Sequence, residues 1–69
     1  MQPYQQRVVD EKTELDGNIK RLGAFIESDI FAGLHECEQA DMRIQLGQMQ
    51  QYSDTLKRRI NRFVTADAT

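Results

Sequence analysis

Tryptophan is absent from this 69-residue chain, and cysteine, histidine and proline occur once each. A lone Cys37 excludes an intramolecular disulfide. With His35 as the one histidine, no further Cys or His is left to complete a zinc site, and two residues two apart point to different faces of a helix. No apolar run approaches the roughly 20 residues that cross a bilayer. Met1-Gln2-Pro3-Tyr4 also lacks the charged and apolar regions of a signal peptide, so the expected compartment is the cytoplasm. Basic excess is missing too: 9 Lys and Arg stand against 11 Asp and Glu, a net of -2. With a sequence pI near 5.2, that balance argues against a general binder of duplex DNA or RNA. No phosphate-cradling Gly loop, nucleophile elbow or HExxH occurs. Glu11 with Glu14, and Glu36 with Glu38, read as solvated helix faces rather than acid–base pairs. No catalytic residue, metal ligand or cofactor is expected.

What the chain does have is an apolar seam that runs twice. Val8, Leu15, Ile19, Leu22 and Ile26 recur at helical spacing, and Met42, Leu46, Met49, Ser53, Leu56, Ile60 and Phe63 alternate four and three. The reading is all-α: one domain over 1-69, two long helices joined by a short turn as an antiparallel hairpin. Such a hairpin has one seam and little to bury it against. With 39% apolar residues, a monomer sits near the limit where burial offsets chain entropy. Val9, Phe25, Ile44 and Tyr52 lie off the seam and would stay wet, so a homo-oligomer of hairpins is expected. Met42 and Met49 stand at core spacing and are packing residues first.

Boundaries follow from local chemistry. Pro3 suits a first helical turn, and Asp10, Glu11 and Glu14 favour its N-terminal half, so the first helix is expected from about Pro3 to Glu27. Ser28 and Asp29 are cap or turn residues, and Gly33 is expected to close the turn in a left-handed conformation. Ile30, Phe31 and Leu34 should fold back as a plug over that end. The second helix should start near His35 or Glu36, with His35 a surface residue, and run to about Val64, leaving Thr65–Thr69 frayed.

Charge is polarised along this hairpin. Every charged residue from Glu27 to Asp41 is acidic, whereas Lys57, Arg58, Arg59 and Arg62 cluster near the far end, beside Tyr4 and Arg7 in an antiparallel pairing. Basic residues also complement the negative end of a helix dipole, which is the plainer account of any single one. Residues that break local rules come next. Gly17 costs a helix interior about 1 kcal/mol relative to Ala. It is either a tolerated exposed glycine, or a kink or close approach, with Lys20 and Arg21 one turn later leaving room for a phosphate. Gly47 suggests close helix packing or a bend. Ser53, polar on an apolar seam, is expected to bond back to a carbonyl one turn earlier, or else to help set register.

Tyr4 through Asp16, Phe25-Ile26 followed by Asp29 to Leu34, and Gln48-Met49 through Tyr52-Ser53 to Leu56 and Arg59-Ile60 resemble a family of small phage and prophage hairpin proteins. That family includes the anti-CBASS and anti-Thoeris nucleotide sponges, with the anti-CBASS branch nearest. The resemblance implies an interlocked oligomer, a hexamer in that branch. It implies cyclic oligonucleotide messengers such as cyclic GMP-AMP held uncleaved between protomers, in the host cell cytoplasm. In the family a base stacks on an aromatic near the N-terminus and a Lys of the first helix meets phosphates; Tyr4 and Lys20 match those roles. A separate site for cyclic trinucleotides, lined by a helix Gly and an Arg of the last helix, would fall to Gly17 and Arg59. Arg7, Arg21 and Arg58 complete the candidate ligand-binding set. Two other readings stand beside it: a helical protein-interaction module or phage regulator without a nucleotide ligand, and binding of linear nucleic acid at the basic pole.

Overall fold

The computed structural model describes residues 2–68, and the side chains of residues 2–63. Helix α1 spans Pro3–Ile26, α2 Asp29–Ala32 and α3 Glu36–Ala68. Among the described residues there is no strand, and α1 and α3 pack against each other as the antiparallel pair that the two seams require. The chain measures 52 × 15 × 14 Å. Its radius of gyration is 15.7 Å, where a compact chain of this length has about 11 Å. The fold is a rod.

Each helix end has a chemical cause. Pro3 opens α1, and the Gln5 side chain reaches back so that its Oε1 accepts from the Gln2 N–H at 2.8 Å. That reach leaves Gln5 buried. At the other end the Ser28 hydroxyl donates to the Phe25 carbonyl at 2.6 Å and accepts from the Phe31 N–H at 3.3 Å, closing α1 and capping α2 together.

The turn differs from the expectation at Gly33, whose φ of -86° and ψ of -5° are right-handed. A left-handed glycine is one common way of satisfying the last carbonyls of a helix, and a side chain can take its place. Here the Gln39 side-chain amide donates to the carbonyls of Phe31, Ala32 and Leu34 at 3.2, 3.2 and 2.9 Å. His35 is exposed but has a structural partner, for its Nδ1 accepts from the Cys37 N–H at 3.1 Å and caps α3. At its far end α3 runs past the expected stop at Val64 to Ala68, in a stretch with no Gly or Pro to break it. Thr69 lies outside the described residues.

The plug at the bend is Phe31, 3% exposed. Phe25 meets it edge-on at 6.3 Å, and the Arg43 guanidinium stands over its ring at 5.0 Å. Leu34 is half-buried, but Ile30 is 70% exposed and takes no part in the plug. A four-residue helix turns only one side inward, and Phe31 occupies it.

Along the rod the seam is confirmed in position and thin in depth. Val8 and Leu56 are buried, while Leu15, Ile19, Leu22, Ile26, Met42, Leu46, Met49, Ile60 and Phe63 are only half-covered. Two helices touch along one line, so each seam residue keeps a flank in water. Off the seam, Ile44 and Tyr52 are exposed as expected, whereas Val9 and Phe25 are half-buried.

Candidate ligand-binding site

Register across the hairpin is fixed by polar contacts as well as apolar ones. The Ser53 hydroxyl donates to Asp16 Oδ1 at 2.5 Å, across the helix pair, which is the register-setting role and not the backward bond to its own helix. A carboxylate facing it from α1 is a stronger acceptor than a carbonyl already engaged in the helix. Thr55 does make the backward bond, to the Gln51 carbonyl at 3.1 Å. Asp16 also takes Lys12 Nζ at 2.6 Å. The Lys12 hydrogen bond, then that of Ser53, hold its carboxyl below the usual aspartate range. One helical step away the Tyr52 hydroxyl donates to Glu11, and that bond raises the phenol's pKa because the bond is lost when the phenol ionises.

This register places the candidate residues in two groups. At the open end Tyr4 is 55% exposed and its ring meets Phe63 edge-on at 5.7 Å. Arg7 follows one turn along α1, and Arg58 and Arg59 lie on α3 near the same end. Arg58 donates to the Thr55 hydroxyl at 2.9 Å, and Arg59 is half-buried. Arg59 is close enough to Tyr52 to offset part of the upward shift that Glu11 causes. The second group is Gly17, Lys20 and Arg21, three and four apart on one face in the middle of α1. Arg21 donates to the Asn18 side chain, and its Nη1 lies 3.4 Å from where a Cβ on Gly17 would stand. Helix α1 runs through Gly17 unbroken, so this glycine makes no helix end. A Cβ on Gly47 would have nothing within 4 Å, so the expected close packing there is absent.

Distance separates the two groups. Sixteen residues of helix carry Lys20 about 24 Å from Tyr4 along the axis. Gly17 and Arg59 of one chain are likewise apart, by about 10 Å counted from the Asp16–Ser53 contact. Tyr4 and Lys20 therefore do not close on a small ligand within a single chain. Among the described residues Lys12 and Asp16 form the ion pair, and no carboxylate neutralises Arg7, Lys20, Arg21, Arg58 or Arg59. The described residues also form no pocket, no metal-holding cluster of His, Cys, Asp and Glu, and no helix long and apolar enough to cross a membrane.

Sequence reasoning passed over Asn18, Phe63 as the partner of Tyr4, and the Glu11–Tyr52 tie. Asn18 was legible, since an amide three residues before an arginine lies within reach on a helix. The two cross-helix contacts needed the register. No match was found among curated proteins or among solved structures. A family model does match, over residues 2–62, and it is the model of Sequestin. With nearly the whole hairpin covered, and in keeping with the resemblance to the phage nucleotide sponges, the chain belongs to the Sequestin family.

Proposed function

We propose that this protein is a phage anti-defence sponge. It binds cyclic oligonucleotide immune messengers, cyclic dinucleotides such as cyclic GMP-AMP and also cyclic trinucleotides, and withholds them uncleaved from CBASS effectors in the host cytoplasm. The observation that carries the reading is that an exposed aromatic, Tyr4, stands too far along α1 from Lys20 and Arg21, cations without carboxylate partners, for all of them to act on one ligand in one chain. A family named for sequestration supports it.

The physical logic ties the ligand to an assembly. Stacking a base on Tyr4 is worth roughly 1 to 3 kcal/mol. A charge-assisted bond from Lys20 to phosphate adds about 1.5 to 3 kcal/mol. Nanomolar capture needs about -12 kcal/mol, so several groups from several chains must close on one ligand. The protomer leaves surface for that closure: it exposes 5281 Å², where a folded monomer of 8.0 kDa has about 4,450 Å². In the assembly, a homohexamer, Tyr4 of one protomer comes beside Lys20 of another, and Gly17 with Arg59 forms the second site. Release needs no chemistry, so no nucleophile, general base or metal is required.

Titration calorimetry of the protein, sized by light scattering, against a panel of cyclic di- and trinucleotides tests this. Nanomolar binding below one ligand per chain, with the ligand recovered intact after denaturation, is the expected result. Hydrolysed ligand overturns sequestration. A well-folded oligomer that binds no member of the panel favours the protein-interaction module, the reading to which the exposed Ile30 and Ile44 lend support.

A further inference from the structure

Arg21 differs from the other candidate cations in how it is held. Its guanidinium is tied by a hydrogen bond to the Asn18 side chain, one turn back on the same helix. Nη1, Nη2 and Cζ lie 3.4, 3.7 and 3.8 Å from the point where a Cβ of residue 17 would stand, so the group rests along the glycine face of α1. Apart from the glycine's own chain neighbours, the three side-chain atoms nearest that point all belong to Arg21, and the glycine puts no side chain of its own on that face. A guanidinium has five N–H donors in a rigid fork, and one contact to Asn18 leaves enough of them to grip a phosphate by two. Among the described residues no carboxylate competes for them. Lys20 precedes it on the adjacent position, with no carboxylate paired to its charge among the described residues.

From this we infer that Asn18 is a positioning residue. It holds the Arg21 guanidinium against the Gly17 face so that the cation meets a phosphodiester already oriented. The inference rests on the sponge reading for its ligand, but the orientation itself exists without one. A free arginine side chain must be immobilised when it binds, and that ordering reduces affinity; a side chain immobilised beforehand has already lost the freedom. Asn18 therefore acts on ligand through Arg21. Gly17 matters for the space it leaves. A methyl group there stands in ordinary contact with the guanidinium, so it covers the bare face without expelling Arg21.

The test is a double-mutant cycle with two readouts. Binding of the tightest cyclic nucleotide of the panel is measured for the native protein, Asn18→Ala, Arg21→Ala and the double variant, each checked for unchanged helicity and oligomer size. Arg21→Ala should weaken binding about tenfold or more. Asn18→Ala should weaken it about three- to tenfold when Arg21 is present. It should have no effect once Arg21 is gone. An equal loss in both backgrounds, or none in either, overturns the inference while leaving the sponge intact. The second readout needs no ligand: the side-chain nitrogen resonances of Arg21 should show hindered guanidinium rotation that Asn18→Ala releases. Free rotation in the native protein overturns the inference even if the panel finds no ligand and the sponge reading falls separately.

Discussion

The two ends of this rod are built on opposite principles. At the bend, Phe31 is buried against Phe25 and under Arg43, and Gln39 alone serves three carbonyls. At the open end Tyr4 leans on Phe63 but stays more than half exposed, and Arg7, Arg58 and Arg59 have no acidic partner among the described residues. A side chain whose interactions are saturated within the chain stabilises the fold and has nothing left for a ligand. One whose interactions are unsatisfied contributes little to the fold and is free to bind. The contrast therefore separates the positions where substitution should lower stability from those where it should lower affinity.

The sharpest way to break that contrast is Phe31→Ala. Truncating a buried aromatic costs about 3 to 5 kcal/mol, and here it also leaves Phe25 and Arg43 without their central partner. A large drop in the chemical denaturation midpoint is expected; a change no larger than that of an exposed residue means that the bend does not anchor the hairpin. Tyr4→Ala makes the complementary case. It should reduce ligand affinity by roughly 1 to 3 kcal/mol while leaving the helical signal and oligomer size unchanged. Loss of the oligomer instead would place Tyr4 with the structural residues.

Gly17→Ala tests the middle of α1. The nearest atom that a Cβ there meets is of the Arg21 guanidinium, at 3.4 Å, an ordinary contact, so the fold gains the helix propensity of alanine, about 1 kcal/mol, and the melting temperature rises. If affinity for trinucleotides falls at the same time, the glycine face contacts ligand. If it does not, Gly17 is only a tolerated glycine.

The smallest effect is in pH. Asp16 has its pKa lowered below 3.8 on folding by the hydrogen bonds of Lys12 and Ser53. Its stabilising contribution is present above that unfolded value and is lost as pH falls through the lower folded one. Because its side chain is 46% exposed, solvent screens much of the effect. Ser53→Ala should flatten the acid limb of the stability profile slightly, and an unchanged limb would assign the shift to Lys12 alone. Tyr52 has the opposite sign, its contribution being present below pH 10.0 and lost as pH rises through the raised folded value, so Tyr52→Phe should lower the plateau below pH 10.0 slightly and flatten the alkaline limb.

Much of this was legible in residue spacing. The seams located Val8 and Leu56, Pro3 marked the start of α1, and Ser28 marked the break between the first two helices. What misled was local chemistry read without its neighbours. Gly33 suggested a left-handed cap because nothing near it in sequence shows that Gln39, arriving from the next helix, claims the last carbonyls of α2, those of Phe31 and Ala32. Ser53 suggested a backward bond because Asp16, its actual acceptor, lies 37 positions earlier in the chain. Ile30 suggested a plug because hydrophobicity does not say which way a short helix faces.

The candidate site divides in the same way. Tyr4, Lys20 and the arginines were nameable from residue type and from resemblance, but the sequence could not show that Arg21 is tied back by Asn18 or that Tyr4 stands edge-on to Phe63. By itself the sequence determined two long helices, their inward faces and the polarity of charge along them, because periodicity and composition act within one helix. Only the tertiary structure decided the register, the cap at the bend and which polar groups are already satisfied. Those depend on which side chains of α1 and α3 come within hydrogen-bonding distance, and that distance exists only once the two helices are side by side.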